Sequence, residues 1–366
     1  MNKNKVSPNL LNVNILATDS TQEILIDCAD FSTMKKFLDE HQYQYKPYRF
    51  INSFSLSADL DDIVIMSYMQ QVNYIYPIAE VLSTNNNQDF IHLDHLTEGK
   101  FFGQGQTICF IDTGIHPHFD FVLPKNKIVK FIDLINGKES PYDDNGHGTF
   151  VSGIACGMGI ISNMDSGYAK LANIISIKAL SDKGNSNSNK ILDAMEWIYQ
   201  NYKAYNIGIV CMSFGAESEI NIDPLSKGAE ALWKKGIIVV AAAGNSGPNN
   251  NTIKSPGINP NIITVGGLDI NNLQVAEFSS RGPTIYGHKP DLLAPAVDIT
   301  SCNNLSSPYT KMSGTSVAAP IIAGICAIIK SKYPNMTNVE VKNFLLSHCT
   351  PISHNVDIEG AGYINF

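Results

Sequence analysis

The sequence predicts an α/β protein in which a small α+β domain precedes a larger, three-layer, doubly wound domain on a mostly parallel sheet. Residues 23–81 alternate strand and helix patterns in a split β-α-β order. Residues 83–89 are polar and aperiodic, as in a linker. From Gly105 onward apolar strands alternate with helices, which is typical of parallel strands joined by crossover helices.

Length and composition agree with two folded domains. The chain has 366 residues, of which 44% are hydrophobic and 16% are charged, so it has enough apolar side chains for a sizeable core. We expect residues 1–83 to form the first domain and residues 84–366 to form the second, because the linker pattern falls between them.

The first domain shows five elements in order. The patterns predict a strand, a helix, an extended stretch, a helix and a strand, at Glu23–Asp27, Ser32–Glu40, Tyr45–Leu56, Asp61–Gln71 and Tyr74–Val81. This order is typical of a small ferredoxin-like α+β fold.

The second domain shows apolar strands separated by helices. Strands are predicted at Thr107–Ile111, Ile174–Leu180, Ile207–Ser213, Ile237–Ala242 and Ile262–Val265. Helices are predicted at Asn189–Tyr202, at Pro224–Lys235, after Ser316, and at Asn338–His348. Alternation of this kind indicates a doubly wound sheet.

Charge and hydropathy argue against several function classes. The formal net charge is -8 and no lysine or arginine block occurs, which argues against nucleic acid or an anionic membrane as a partner. The longest apolar run, Val317–Ile329, contains Pro320 and is shorter than the roughly 20 residues that span a bilayer. Polar residues interrupt the first twenty positions, which make a poor secretory signal. We therefore expect a cytoplasmic protein.

The seven cysteines form an odd set without CxxC spacing, and most lie inside apolar runs. Buried free thiols in a reducing compartment are the favoured interpretation. A disulfide or zinc framework is the alternative that this spacing supports less well.

Two candidate functional side chains follow predicted strands. Asp112 ends the first strand of the larger domain, and Asn245 follows Ile237–Ala242 beside Gly244. Ligands of open parallel sheets bind at the carboxyl ends of strands, so both positions are candidates. Each also fits a structural role, since aspartate and asparagine commonly stabilise turns.

Two further candidates lie where helices begin. Glycines flank His147 on both sides, and Ser316 follows Gly314 at the start of a strongly apolar helix. An ordinary core histidine seldom needs bare backbone on both flanks, whereas a serine at a helix start is ordinarily a cap. Taken singly, neither residue decides between a structural and a catalytic role.

The four candidates together fit one chemistry. A serine hydroxyl is a poor nucleophile unless a base takes its proton, and an imidazole needs a carboxylate to fix its tautomer and support its charge. Asp112, His147 and Ser316 occur in the chain order of a subtilisin triad. Asn245 and the backbone N–H of Ser316 could stabilise the oxyanion that forms on the attacked carbonyl.

These segments resemble the subtilase superfamily from about Gly105 to the C-terminal segment GAGYIN, and most closely its bacterial intracellular members. The motifs are FIDTGIHPHFD, DDNGHGTFVSG, AAAGNSGP and MSGTSVAAP. The resemblance implies a subtilisin-like serine endopeptidase in which Asp112 orients, His147 is the general base, Ser316 is the nucleophile and Asn245 is the oxyanion donor. One departure is Phe150, which stands where many relatives carry a second histidine.

The resemblance also implies residues that contact a protein or peptide substrate. They are the predicted lining strand Ser213, Phe214 and Gly215, the opposite edge Gly184, Asn185 and Ser186, and the residues Ala243, Gly244 and Lys254. Lys254 falls where relatives often have a small residue near the floor of the main specificity pocket. We expect it to favour an acidic or polar residue just before the cleaved bond, although a lysine with a packed stem and a solvated head is an equal alternative.

The first domain resembles, more loosely, the inhibitory pro-domain of the family. The resemblance implies an intramolecular inhibitor that self-cleavage near Val81–Asp89 would release. Relatives often bind structural calcium, and the acidic stretch Glu139–Asp144 could supply ligands, although loop carboxylates are commonly only solvated. No redox or nucleotide cofactor is implied, because Gly103-Gln104-Gly105 precedes a strand instead of following one.

Two other functions compete with this interpretation. A non-catalytic relative could use the same fold as a binding module, with the first domain permanently attached. An esterase of the α/β-hydrolase type would need Gly-x-Ser-x-Gly and the chain order Ser, Asp, His, and the sequence has neither.

Overall fold

The computed structural model describes residues 2–6, 21–49, 52–77, 93–160, 167–217 and 223–365. These residues fall into two compact units, a small one that includes residues 2–77 and a larger one that includes most of residues 93–365. The predicted linker and the predicted boundary at residues 83 and 84 lie outside the described residues.

The small unit is a four-stranded antiparallel sheet with two helices. Its elements in chain order are β1 (Gln22–Cys28), α1 (Phe31–Glu40), β2 (Tyr45–Tyr48), β3 (Ser53–Ala58), α2 (Leu60–Ser67) and β4 (Val72–Pro77). The strand order is β2-β3-β1-β4, and the apolar faces enclose a core that includes Ile24, Ile26, Met34, Leu38 and Phe54. This arrangement confirms the predicted small α+β fold.

Two predicted bounds in the small unit are wrong. The extended stretch Tyr45–Leu56 is two antiparallel strands, with Tyr45 paired to Leu56, because the chain turns between them. Asn52 in that turn has a φ of 49°, a backbone conformation that asparagine tolerates better than most residues. Helix α2 ends at Ser67 instead of Gln71, and the part of the last predicted strand beyond Pro77 lies outside the described residues.

The larger unit contains a ten-stranded sheet, a two-stranded hairpin and eight helices among the described residues. Its strands are β5 (Thr107–Asp112), β6 (Ile128–Asp133), β7 (Asn173–Lys178), β8 (Ile207–Met212), β9 (Ile238–Ala242), β10 (Ile263–Asp269), β11 (Gln274–Val275), β12 (Leu292–Pro295), β13 (Ile299–Cys302), β14 (Tyr309–Met312), β15 (Cys349–Thr350) and β16 (Tyr363–Ile364). Its helices are α3 (Asp94–Thr97), α4 (Phe119–Val122), α5 (His147–Cys156), α6 (Ser188–Asn201), α7 (Pro224–Lys234), α8 (Thr315–Lys332), α9 (Asn338–Ser347) and α10 (Val356–Glu359).

The sheet places the carboxyl end of β5 at a topological switch point. Its strand order is β15-β16-β12-β10-β9-β8-β5-β7-β6, and all neighbours from β16 to β6 run parallel. The chain passes from β7 on one side of β5 to β8 on the other, which is where open parallel sheets bind ligands. The predicted doubly wound, mostly parallel sheet is confirmed.

Helix α8 runs through the core. Fourteen of its residues are buried, and it packs against α5 and against β8, β9, β10 and β12. Among the described residues, α8 is a helix long and apolar enough to cross a membrane. The unbroken apolar run Val317–Ile329 that was counted from the sequence is shorter than the whole helix. Since 78% of the helix is buried inside the fold, it is a core helix.

The sequence patterns missed several elements at the margins of the sheet. Strand β6 forms one edge and mixes buried, partly buried and exposed side chains, and the charged residues Lys130 and Asp133 interrupt its apolar pattern. Strand β12 is only four residues long and ends at Pro295. Short and edge strands carry few of the residues on which a strand prediction rests.

Candidate active site

Asp112 is the last residue of β5, and its side chain is buried with 1% of its area exposed. Its Oδ1 atom accepts a hydrogen bond from the backbone N–H of Thr113 at 2.7 Å. The same atom lies 2.8 Å from Nδ1 of His147, which is within hydrogen-bonding distance. The structure therefore joins Asp112 and His147, whose positions are 35 residues apart in the chain.

His147 is the first residue of α5, and its glycine neighbours are needed for space and backbone geometry. Gly146 has a φ of 106°, which a side chain rarely tolerates. A Cβ atom on Gly148 would lie 2.2 Å from the carbonyl oxygen of Gly114 and 3.2 Å from Cβ of Asp112. Bare backbone at position 148 thus allows the histidine helix to approach the aspartate strand.

The surroundings of His147 favour its protonated form. Burial by itself would lower the pKa of this imidazole, but the charge and hydrogen bond of Asp112 and the charge of Asp143 outweigh that effect. The pKa of His147 is therefore raised above its ordinary value. A base that is held beside a carboxylate in this way is suited to accept a proton and to bear the resulting charge.

A second set of hydrogen bonds fixes the loop that leads into α5. Oδ1 of Asp143 accepts a hydrogen bond from Oγ1 of Thr113 at 2.9 Å and one from the N–H of Gly146 at 2.8 Å. Its Oδ2 atom accepts from both the N–H and the hydroxyl of Thr149, at 2.9 and 2.7 Å. Asp143 is buried, so these bonds position the start of the histidine helix without competition from water.

Ser316 lies in the first turn of α8, directly after Gly314 and Thr315. Gly314 has a φ of 152°, and a Cβ atom there would lie 3.2 Å from Oγ of Ser316 and also 3.2 Å from Nδ2 of Asn245. The serine hydroxyl and the asparagine amide therefore face the same small space above Gly314. Backbone N–H groups at a helix start also point outward and favour negative charge.

The orientation of Asn245 is set by its other side-chain atom. Its Oδ1 accepts hydrogen bonds from the N–H and the hydroxyl of Thr315, both at 2.9 Å. The same hydroxyl of Thr315 accepts a hydrogen bond from the N–H of Gly244 at 3.1 Å. With Oδ1 engaged in this way, Nδ2 of Asn245 is directed toward the side of Ser316.

Lys254 lies between two of the predicted substrate-lining segments. A Cβ atom on Gly215 would lie 2.6 Å from Cβ of Lys254, and one on Gly244 would lie 2.5 Å from its Cγ. Its Nζ atom pairs with a carboxylate oxygen of Glu217. The lysine stem thus fills the gap between the two glycine backbones, beside the residue that precedes Asn245.

The other predicted lining residues take up mixed environments. Ser213 and Ala243 are buried, and Phe214 packs against the core as a partly buried side chain. Gly184, Asn185 and Ser186 lie in a turn after β7, where Ser181 N–H donates to the carbonyl oxygen of Asn185 at 2.8 Å. This turn contacts the histidine loop, since Nδ2 of Asn145 donates to the carbonyl oxygen of Asp182 at 2.9 Å.

Two of the three carboxylates in the acidic stretch Glu139–Asp144 already interact with other groups of the protein. Both carboxylate oxygens of Asp143 accept hydrogen bonds from Thr113, Thr149 and the loop backbone. Asp144 pairs at 2.7 Å with the buried ammonium of Lys178, while Glu139 is exposed. Calcium needs several free oxygens directed at one point, and Asp143 and Asp144 already bind protein donors, so a calcium ion at this stretch stays a prediction.

A buried cluster of His118, Asp120 and Cys302 also has the composition of a metal site, with ligand atoms within 4.8 Å of one another. Its carboxylate, however, accepts backbone N–H bonds from Gly159 and Ile160 at 2.8 and 3.1 Å, a 2.9 Å bond from the hydroxyl of Tyr309, and a contact from the thiol of Cys302 at 3.6 Å. These donors fill the hydrogen-bonding capacity of the ionised carboxylate. The cluster therefore has a structural role.

Sequence reasoning missed the residues that hold the predicted ones in place. Thr113, Asp143, Thr315 and Glu217 each hydrogen-bond to a predicted site residue or to its backbone neighbour. Thr113 and Thr315 stand next to Asp112 and Ser316 inside the motifs, and this adjacency was the available signal. Glu217 lies outside every motif, so nothing in its local sequence indicated a role.

Comparison with known proteins identifies the family. The family model of Peptidase S8, the subtilase family, matches residues 103–362. The chain is 42% identical over 294 residues to the serine protease AprX of Bacillus subtilis (strain 168), covering 72% of this chain and 65% of AprX. It is 33% identical over 278 residues to subtilisin DY of Bacillus licheniformis, covering 75% of this chain and 94% of that protein.

Solved structures agree with the sequence relatives. The S41 psychrophilic protease superimposes with a TM-score of 0.65 at 29% identity, covering 72% of this chain and 92% of that one. Sphericase superimposes with a TM-score of 0.62 at 28% identity and covers 72% of this chain and 92% of its own. The family model matches more than half of the residues, so the chain is a member of the subtilase family.

Proposed function

We propose that this protein is a serine endopeptidase in which Asp112, His147 and Ser316 act together through an acyl-enzyme intermediate. The observation that carries the proposal is the 2.8 Å contact between His147 Nδ1 and Asp112 Oδ1. It is supported by the packing of α5 against α8, the helices that carry His147 and Ser316 in their first turns.

The proposed reaction begins with proton transfer. His147 Nε2 takes the proton from Ser316 Oγ while that oxygen forms a bond to the substrate carbonyl carbon. Asp112 holds the ring in the tautomer with its proton on Nδ1 and stabilises the imidazolium. His147 then gives its proton to the leaving amine, which breaks the peptide bond and leaves an acyl ester on Ser316. Water, deprotonated by the same imidazole, hydrolyses the ester and regenerates the hydroxyl.

The negative charge on the attacked oxygen would be stabilised by two donors, Asn245 Nδ2 and the backbone N–H of Ser316. The contacts around Gly314 support this role, because a Cβ atom there would lie 3.2 Å from both Asn245 Nδ2 and Ser316 Oγ. Because Thr315 holds the other end of the asparagine amide, the donor would be preorganised before the charge develops.

The substrate in this proposal is an extended peptide of a protein. It would lie between the segment Ser213–Gly215 and the turn at Gly184–Ser186, with Ala243 and Gly244 beside the carbonyl that is attacked. Backbone pairing of this kind accepts many sequences, since the hydrogen bonds involve groups that every residue has. The proposed chemistry uses no organic cofactor.

We further propose that the chain is made as a self-processing zymogen in which residues 1–83 inhibit the catalytic domain of residues 84–366. The small unit has its own core and its own sheet, so it has the compactness of a separable domain. Cleavage would fall between about residues 80 and 97, in the stretch of sequence that joins the two proposed domains.

One experiment tests activity, nucleophile and processing together. Purified protein is treated with a serine-reactive fluorophosphonate and weighed by mass spectrometry, beside Ser316→Ala as a matched variant. We expect labelling and a break between about residues 80 and 97 in the wild type, with neither in Ser316→Ala. A wild type that remains unlabelled after removal of the N-terminal domain would exclude the enzyme and favour the binding module.

We propose that the protein acts in the cytoplasm. The support is its seven free cysteines, six of them buried. Burial raises the pKa of Cys156 to about 12, which keeps that thiol protonated and unreactive. Unpaired thiols are typical of a reducing compartment. Fractionation of the source cells, followed by detection with an antibody, would place the protein directly.

A further inference from the structure

We propose that Lys254 makes this site selective for an acidic side chain on the substrate residue whose carbonyl is attacked. Until such a substrate binds, Glu217 forms the ion pair with the Lys254 ammonium. The inference rests on the proposed peptidase function and extends it to a substrate class. Three observations carry it: the position of the lysine stem, the position of its ammonium group, and the exposure of its partner.

The position of the stem determines which substrate side chain it meets. Lys254 Cγ lies 2.5 Å from the position that a Cβ atom on Gly244 would take, and Gly244 directly precedes Asn245. If the carbonyl oxygen of the substrate points to Asn245, the side chain of that same residue must leave its Cα close to Gly244. Lys254 is therefore the side chain that this substrate residue encounters first.

The stem also restricts the size of that substrate side chain. The Cβ and Cγ methylene groups of Lys254 lie close to both Gly215 and Gly244 and occupy space that the two glycines leave open. The lysine side chain is only 16% exposed. A large aromatic group would have to displace this stem, whereas a short carboxylate needs only to reach its ammonium end.

The ammonium group has a partner that can be exchanged. Nζ of Lys254 pairs with Glu217, whose side chain is 86% exposed. An exposed carboxylate gains little from an ion pair, because water solvates it almost as well and its side-chain freedom is restored when it leaves. A substrate carboxylate is already held at the site by backbone pairing, so it loses less freedom in binding the same ammonium.

The positive charge of Lys254 should select against neutral substrates. If Glu217 moves away and no substrate carboxylate arrives, the ammonium of a lysine whose side chain is only 16% exposed remains without a countercharge, which is unfavourable. A glutamate or aspartate before the cleaved bond supplies that charge, and glutamine does not. A charge-assisted hydrogen bond contributes about 1.5–3 kcal/mol, which corresponds to roughly 10- to 100-fold in rate.

The test uses matched fluorogenic peptides that differ only in Glu or Gln before the cleaved bond, with wild-type protein that the fluorophosphonate labels. We expect kcat/KM to be about tenfold higher for the Glu peptide or more. Lys254→Met keeps most of the stem and removes the charge, and we expect it to bring the ratio to about one. Glu217→Gln removes the internal competitor and should raise the ratio above that of the wild type. Lys227→Met, at an exposed position of α7, is the control and should leave the ratio unchanged.

The outcomes separate this inference from the function on which it rests. Lys254→Met protein that is still labelled at Ser316, with a Glu to Gln ratio equal to that of the wild type, would overturn the inference and leave the peptidase proposal intact. Absence of labelling and of cleavage in the wild type would overturn both. A ratio that falls in Glu217→Gln would show that Glu217 assists acidic substrates, which contradicts the role given to it here.

Discussion

The hydroxyl of Thr113 donates to Oδ1 of Asp143 across 2.9 Å, and this bond ties the residue after Asp112 to the loop that precedes His147. The same hydroxyl oxygen accepts a hydrogen bond from the N–H of Gly148 at 2.8 Å. One threonine therefore connects the strand that carries the carboxylate to both sides of the histidine. The 2.8 Å contact between Asp112 and His147 depends on two backbones that this side chain holds together.

Removing the Thr113 hydroxyl should slow catalysis without weakening substrate binding. We expect Thr113→Val to lower kcat by about 10- to 100-fold, because small displacements of a catalytic group have effects of this size, and to change KM by less than about threefold. Thr113→Ser is the control that retains the hydroxyl and should stay near the wild type. Steady-state kinetics on one peptide would measure kcat and KM for both variants. A Thr113→Ser variant as slow as Thr113→Val would contradict a role for the hydroxyl.

Asp112→Asn should change both the rate and its dependence on pH. Activity requires neutral His147, so the rate of the wild type should rise with pH through the raised pKa of that imidazole. An amide at position 112 removes the charge that raises this pKa and favours the wrong tautomer. We expect kcat to fall by about 10,000-fold and the acid limb of the remaining activity to move to lower pH.

The control for this prediction is Asp193→Asn, at an exposed position of α6. It should leave both the rate and the pH profile as they are in the wild type. An acid limb that stays in place in Asp112→Asn would show that a group other than His147 governs it.

The two ends of the Asn245 amide should contribute unequally. We expect Asn245→Ala to lower kcat by about 100- to 1,000-fold with little change in KM, a range taken from the oxyanion asparagine of a subtilisin relative. Thr315→Val removes one of the two Thr315 donors to Oδ1 and leaves Nδ2 present, so its loss should be about tenfold. Pre-steady-state acylation rates would measure both, and a threonine variant slower than the alanine variant would contradict this order.

Asp120 should matter for stability more than for chemistry. Its buried carboxylate accepts hydrogen bonds from Gly159, Ile160 and Tyr309. Asp120→Ala leaves these donors unpaired, and we expect it to lower the free energy of unfolding by about 3–5 kcal/mol. Urea unfolding in a Ser316→Ala background avoids self-digestion during the measurement.

Asp193→Asn in the same background is the surface control and should change the unfolding free energy by less than about 0.5 kcal/mol. Equal unfolding free energies for Asp120→Ala and this control would mean that the cluster around His118 does not contribute to the fold.

The sequence predicted the parts of the site that local rules determine. Strand patterns placed Asp112 at the carboxyl end of β5, and the parallel topology explains why a residue there meets others from distant segments. The glycines on both flanks of His147 marked this residue as different from an ordinary core histidine, and the structure shows Gly148 against Gly114. Both inferences follow from the geometry of strands, turns and small residues.

The remaining features depend on contacts that no local pattern encodes. Glu217 pairs with Lys254 across 37 positions, and neither residue belongs to a periodic element that would place it against the other. The sequence of the acidic stretch Glu139–Asp144 does not reveal that Asp143 is buried among protein donors. Contacts between residues that are distant in the sequence, such as these, can be identified only from the tertiary structure.

Helix α8, which carries Ser316 in its first turn, is held in place by the packing of its buried side chains. Local openings that need little free energy occur in exposed loops. A helix that is buried on most of its surface opens only when the surrounding domain unfolds. Adjustment to differently shaped peptides must therefore come from outward-facing parts such as Glu217. Reactivity at position 316 should accordingly persist while those parts rearrange, and should vanish in one step with the cooperative collapse of the parallel sheet.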